Sequence, residues 1–131
     1  MAKKTTATAQ VKKLRIAILA SLTPELVKKE FLFLQKKHRL GGHCYVATEA
    51  MYYLLGGKSS GYMPASIVHE GVKHYYLKHR ESREVLDLTA AQFTTAIPYE
   101  KGRGSVYRQS KPSKRTAVLL ERVNRRLKKT G

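Results

Sequence analysis

The spacing of apolar positions is helical through the first half of the chain. A first series recurs every three or four residues, as on one face of a helix, at Val11, Leu14, Ile18 and Leu22. Thr23 and Pro24 then suit the N-cap and first position of a second helix running toward Lys37. Its predicted apolar face holds Leu26, Phe31 and Leu34.

A third helix is predicted after the sequence "HRLGG", whose glycines suit the end of the preceding helix. Its inward positions have helical spacing and comprise Val46, Ala47, Ala50, Tyr53 and Leu54. The sequence "GGKSSGYMP" then ends it. Helices therefore dominate the first half of the predicted structure.

The second half changes to short segments rich in β-branched and aromatic residues. The segments "ASIVH", "VKHYYLKH" and "REVLDL" predict a three-stranded meander, and "SVYRQ" predicts one further strand. Between them, "TAAQF" predicts a short helix with Thr89 and Gln92 spaced as a capping box. The chain closes on a basic amphipathic helix, "SKRTAVLLERVNRRL", with an apolar face of Ala117, Leu120, Val123 and Leu127. Helices followed by an antiparallel sheet indicate the α+β class.

Length and cysteine content limit the organisation of the protein. A chain of 131 residues suits one domain, predicted over residues 11–131, after a polar basic tail predicted to be disordered over residues 1–10. One cysteine cannot form an intramolecular disulfide, and no signal-type leader or membrane-length apolar run is visible. We therefore expect a soluble cytoplasmic protein with no membrane partner.

Positive charge is concentrated at the two ends of the chain. The sequence has 26 basic and 9 acidic residues, a net charge of +17, and sixteen of the basic residues fall within residues 1–15 and 101–131. Such ends favour non-specific contact with a phosphate backbone, but they also suit a solvated surface, and the two interpretations carry equal weight. The candidate nucleic-acid contacts are Lys12, Lys13, Arg15, Arg122, Arg125 and Arg126.

The single cysteine, Cys44, follows two glycines and opens the third predicted helix, in "GGHCYVATEA". A free cysteine is most often a small buried hydrophobe. At a helix N-terminus it can instead be a nucleophile, because the helix dipole favours the thiolate and the first-turn amides can bind an oxyanion. Deciding between these alternatives requires a base and a group that orients it.

His74 and Asp87 are the predicted base and orienting carboxylate. If His79 to Ser82 form the loop between the last two strands of the meander, His74 lies directly opposite Asp87 on one sheet face. The carboxylate can then fix the tautomer of the imidazole. A slip of one residue would put the two side chains on opposite faces, so this prediction depends on the turn.

The remaining histidines do not predict a metal site or another cofactor. His69 and His74 are five residues apart with a glycine between them, whereas two zinc ligands on one helix are four apart. Regular strands would also place His69 and His79 on the face opposite His74.

Three segments, "GGHCYVATEAMYYLLGG", "KHYYLKHRESREVLDLTAAQF" and "KRTAVLLERVNRRL", resemble the YunG-like family of small bacterial and phage proteins. That family is similar to papain-like and transglutaminase-like cysteine folds. The resemblance implies a papain-like core with a triad of Cys44, His74 and Asp87. The family has glutamine where this chain has His43, so His43 is the implied oxyanion or auxiliary residue.

Two functions fit these features of the sequence. The first is a cysteine hydrolase or acyltransferase that acts on an amide or ester bond: Cys44 attacks, His74 relays the proton and Asp87 orients the ring. The second is a non-catalytic basic protein that binds nucleic acid or a host partner.

Overall fold

The computed structural model describes residues 2–107 and 111–130, which form an α+β fold. Its α-helices are α1 (Ala2–Ser21), α2 (Leu32–Lys37), α3 (Cys44–Leu54) and α4 (Lys114–Thr130). Its strands are β1 (Tyr62–His69), β2 (Val72–His79), β3 (Val85–Leu86) and β4 (Arg103–Gly104). The strands form one antiparallel sheet in the order β3-β2-β1-β4.

The sheet is built on the β1–β2 hairpin, which pairs Tyr62 with His79 at one end and His69 with Val72 at the other. Its two-residue turn needs positive φ angles, which Glu70 and Gly71 adopt at 50° and 77°. Such a two-residue turn matches the right-handed twist of the strands. Strand β2 is therefore fixed in register against β1 over its full length.

Helix α3 is the centre of the fold, because it packs against β1 and β2 as well as α1 and α4. The core includes fully buried side chains from α1, α3, β2 and α4, namely Ile18, Met51, Leu77, Leu119 and Val123. The predicted inward faces of α1 and α3 are confirmed, since all their members lie in this core or pack against it. The predicted face of α4 is wrong at Ala117, which is exposed, because the helix turns Thr116 and Leu119 inward.

Helix α1 begins well before the predicted start at Val11. The backbone is helical from Ala2, across the residues 2–10 that were predicted as a disordered tail. Six of its nine residues are alanine, lysine or glutamine, which favour helix, three are threonine, which favours it less, and none is glycine or proline.

The predicted helix from Pro24 to Lys37 is wrong as a continuous element. The chain forms 3-10 turns at Pro24–Leu26 and Lys29–Phe31 before α2, with extended backbone at Val27 and Lys28. Val27 is buried and packs so closely on Gly42 that a Cβ there would lie 2.7 Å from its Cγ1. Tertiary packing has broken the helix, and the predicted inward residue Phe31 is exposed.

Three predicted segments after β2 are also shorter or displaced. The third predicted strand is reduced to β3, and "TAAQF" forms a 3-10 turn at Ala90–Gln92. The predicted strand "SVYRQ" is wrong at 105–107, because pairing with β1 occurs at β4 instead; its last two residues lie outside the described residues. No helix in the described ranges is long and apolar enough to cross a membrane.

Candidate active site

Two glycines bring Cys44 to the start of α3. A Cβ on Gly41 would lie 2.1 Å from the carbonyl oxygen of Leu34, so only glycine lets the chain pass α2 this closely. Gly42 has a φ of 79°, which glycine adopts without strain. Helix α3 then begins at Cys44, as the sequence predicts, with the amide of Ala47 donating to the carbonyl of His43.

Cys44 is buried, but it also lines a groove on the surface of the protein. Its Sγ donates to the carbonyl oxygen of Lys73 on β2 at 3.7 Å, and the residue is 7% exposed. The N–H groups of the first helical turn have no acceptor within the helix. Together with the positive end of the helix dipole, these groups favour negative charge beside the sulfur.

His74 and Asp87 form a short buried hydrogen bond. The His74 Nε2 atom lies 2.6 Å from the Asp87 Oδ2 atom, and the two side chains are 0% and 4% exposed. His74 lies on β2, and Asp87 follows β3 directly. The structure therefore brings together the histidine and the carboxylate that the sequence predicts.

The predicted register for this pair is nevertheless wrong. Leu77 pairs with Leu86, so Asp87 is level with Tyr76 and not with His74. The loop after β2 is closed by the His79 amide donating to the carbonyl of Glu84, two residues after the predicted partner Ser82. A two-residue shift in pairing keeps both side chains on one face, and diagonal neighbours remain within reach of each other.

Two further donors hold the Asp87 carboxylate. The Tyr99 hydroxyl donates to Oδ2 at 2.7 Å, and the Thr89 amide donates to Oδ1 at 3.2 Å. Both oxygens are therefore fixed while Oδ2 also accepts from His74. Burial and this bond to Asp87 raise the pKa of Tyr99, so the hydroxyl remains a donor at physiological pH. No sequence signal identified Tyr99.

The surroundings of His74 favour the imidazolium form. Burial alone would lower its pKa, but the hydrogen bond and negative charge of Asp87, together with the interaction with Cys44, raise it to about 9. Cys44 is thus close enough to act on the ring electrostatically. With Nε2 occupied by Asp87, the Nδ1 atom is the one available to exchange a proton with the thiol.

The segment after Asp87 covers the imidazole. The Phe93 ring stands edge-on to His74 with centroids 4.8 Å apart, and the Gln92 Nε2 atom lies 3.5 Å from the His74 Nδ1 atom. Thr89 makes no capping hydrogen bond, so the predicted capping box does not form; Gln92 instead donates to the Thr89 hydroxyl at 3.2 Å. Gln92 was identified in the sequence as a capping residue, and its position beside the base was missed.

Glu70 at the hairpin turn fastens this segment to the sheet. Its Oε2 atom accepts from the Thr94 amide at 3.0 Å and from the Thr95 amide and hydroxyl at 2.8 and 2.6 Å. The hydrogen bond from the Thr95 hydroxyl is the main cause that lowers the pKa of Glu70 to about 2. Phe93, which covers the imidazole, is therefore flanked in the chain by anchored residues, Gln92 on one side and Thr94 on the other.

His43 does not take the predicted oxyanion or auxiliary position. Its side chain is 1% exposed, and Nε2 lies 2.9 Å from the carbonyl oxygen of Thr23. Burial lowers its pKa, so the ring is neutral and donates to that carbonyl. The hydrogen bond to Thr23 holds the ring away from the groove, which His43 does not line.

The groove beside Cys44 has a volume of about 800 Å³. Its walls come from the Lys28–Leu34 region, the start of α3, the β1–β2 hairpin and the segment around Val106. Cys44 lines the groove, whereas His74 and Asp87 do not. A ligand in the groove therefore meets the sulfur first.

The basic candidates are distributed over α1 and α4, which pack together. Lys12, Lys13 and Arg15 are exposed. Arg122 donates to the Thr23 hydroxyl and to Glu25, and Arg125 forms an ion pair with Glu121. Arg126 donates to the carbonyl of Ala20. Three of the six residues thus make intramolecular contacts.

Within the described residues there is no group of three or more histidine, cysteine, aspartate or glutamate side chains that could hold a metal ion. Comparison with known proteins finds no matching family model, curated protein or solved structure.

Proposed function

We propose that this protein is a cysteine hydrolase or acyltransferase that acts on an amide or ester carbonyl. The observation that carries the proposal is the buried His74–Asp87 hydrogen bond of 2.6 Å, whose histidine interacts with the thiol at the N-terminus of α3. A nucleophile, a base and a group that orients the base are the parts that thiol acyl transfer needs.

In the first step the Cys44 thiolate attacks the carbonyl carbon. A C–S bond forms, and the electron pair of the C=O bond moves to the oxygen, where first-turn N–H groups of α3 can stabilise it. The intermediate then collapses, the bond to the leaving nitrogen or oxygen breaks, and the His74 Nδ1 proton passes through one water molecule to that leaving atom. Asp87 retains its hydrogen bond to Nε2 throughout.

In the second step a water molecule or another acceptor attacks the thioester. His74, now neutral, takes the acceptor's proton at Nδ1 through one water molecule, and the C–S bond breaks to return the thiolate and the imidazolium. The raised pKa of His74 favours the imidazolium form between turnovers.

Acylation by p-nitrophenyl acetate tests the proposal. At pH 6, we expect a burst of p-nitrophenol and an acetyl group on Cys44 by mass spectrometry, formed much faster than on glutathione. Cys44→Ala should abolish the burst, and His74→Ala should slow it. If Cys44 is acetylated no faster than glutathione, the proposal is contradicted, and Cys44 is a packed core residue.

Non-specific binding of nucleic acid is a second proposed property, supported by the exposed Lys12, Lys13 and Arg15 on a helix that packs against basic α4. Counterion release predicts weak, sequence-independent binding that falls steeply with salt. Titration of the full chain with fluorescent duplexes of two sequences at several salt concentrations tests it. Salt-resistant binding, or none at low salt, would contradict it.

A further inference from the structure

Exposed apolar side chains are concentrated at the groove beside Cys44. Among the described residues, seven large hydrophobic side chains are exposed, and four of them line this groove. These four are Phe31, Phe33, Tyr45 and Val106, which are 38–60% exposed. Exposed apolar side chains gathered around one groove point to a binding site, because leaving them in water costs free energy.

The charged residues of the same groove are mainly basic. Lys28, Lys73 and Arg115 line it, all three are exposed, and none forms an ion pair within the described part of the chain. The one acidic residue in its lining, Glu49, is buried and accepts hydrogen bonds from the amide and hydroxyl of Ser113. The groove therefore offers positive charge to a ligand.

The exposure of the apolar walls favours a polypeptide over a lipid acyl chain. Pockets for small apolar ligands enclose about 70–90% of the ligand surface. Here Phe33 and Val106 are both more than half exposed, so an acyl chain between them would remain in contact with water. A polypeptide segment can instead cover the walls from outside and place single side chains between them.

We infer that the groove binds an acidic polypeptide segment and presents to Cys44 a carbonyl group that follows a large apolar side chain. This inference rests on the proposed acyl-transfer function, since it names the substrate class of that site. The apolar side chain packs among Phe31, Tyr45 and Val106, and neighbouring carboxylates pair with Lys28 and Arg115. Such complementary charges act mainly on specificity and on the rate of encounter.

Peptidyl acyloxymethyl ketones that alkylate cysteine test the inference. Three probes with one reactive group carry the sequences acetyl-Glu-Phe, acetyl-Lys-Phe and acetyl-Glu-Gly, and a fourth carries an octanoyl chain. We expect acetyl-Glu-Phe to label Cys44 at least about tenfold faster than each of the others, measured as second-order rate constants by intact mass.

A charge-reversed protein with a matched control identifies the residues responsible. The double variant Lys28→Glu/Arg115→Glu should reverse the preference between the Glu-Phe and Lys-Phe probes. The double variant Lys58→Glu/Arg83→Glu changes net charge equally at exposed positions outside the groove, and it should keep the wild-type preference. Circular dichroism checks that both variants are folded.

The outcomes separate this inference from the proposed function. Iodoacetamide, which has no peptide part, reports the reactivity of the thiol alone. Rapid alkylation by iodoacetamide with equal rates for all peptide probes would overturn the acidic-peptide inference and leave the acyl-transfer proposal standing. Fastest labelling by the octanoyl probe would assign a lipid-like acyl substrate instead. An ordinary thiol rate with iodoacetamide would contradict the proposed function itself.

Discussion

Two buried histidines lie near Cys44, one next to it in the sequence and the other on strand β2, which packs against α3. His43 and His74 are 1% and 0% exposed, yet their pKa values move in opposite directions. His43 meets a carbonyl oxygen, which does not compensate for the loss of water around a charged ring. His74 is hydrogen-bonded to a carboxylate, whose negative charge does compensate for that loss of water. The ionised partner, and not burial, decides whether a buried imidazole carries charge.

The largest expected difference between the two histidines is in thiol reactivity. At pH 6 an ordinary thiol is well under 1% ionised, so loss of the imidazolium should lower the rate of Cys44 alkylation by about 100-fold in His74→Ala. His43→Gln should change the rate less than about threefold. Iodoacetamide rates at pH 6 on folded protein give the result. Equal losses in the two variants would show that His74 has no special relation to the thiol.

The charge on His74 should depend on Asp87. NMR titration of the ring should give a midpoint near 9 in the wild-type protein, and Asp87→Asn should return it toward or below 6.5, because the amide keeps a polar contact but removes the negative charge. The His43 midpoint should lie below 6.5 in both proteins. A His74 midpoint that stays near 9 in Asp87→Asn would exclude the carboxylate as the cause.

The two histidines should give opposite slopes of stability against pH. Because the pKa of His74 is raised on folding, its contribution is complete below pH 6.5 and is lost as pH rises through about 9, a change of at most about 3 kcal/mol. His43 has a lowered pKa, so its burial destabilises the fold as pH falls below 6.5.

Urea unfolding of the wild-type protein at a series of pH values measures both slopes. Asp87→Asn should remove most of the decrease in unfolding free energy between pH 6.5 and 9, and His43→Gln should remove part of the decrease on the acid side. The same alkaline decrease in wild type and Asp87→Asn would assign it to other groups.

The smallest expected effect concerns the hydroxyl that holds Asp87. Tyr99→Phe removes a hydrogen bond to a charged carboxylate and should lower the free energy of unfolding by about 1.5–3 kcal/mol, with alkylation of Cys44 slowed less than about threefold. Tyr76→Phe is the matched control, because its hydroxyl donates to a neutral carbonyl and should cost only about 0.5–1.5 kcal/mol. Equal losses of stability in the two variants would contradict the prediction that the Tyr99 hydroxyl donates to a negatively charged Asp87 carboxylate.

The elements that the sequence predicted well are those whose signals are local. The spacing of Leu14, Ile18 and Leu22 identified the inward face of α1, and the turn at Glu70 and Gly71 identified the β1–β2 hairpin. The helix predicted after Pro24 failed because Val27 is drawn toward Gly42, fifteen positions away. A pattern within one segment carries no information about such a contact.

The candidate site also has one part that local sequence patterns predict and another part that depends on distant contacts. The sequence by itself determined that Cys44 begins a helix after two glycines and that His74 and Asp87 occupy one sheet face, because residue alternation fixes faces even when the register shifts by two. Only the tertiary structure decided that the pair meets diagonally, that Tyr99 and Gln92 join it, and that His43 turns toward Thr23. These contacts join segments far apart in the chain, and their geometry depends on how α3, the sheet and the segment after β3 pack together.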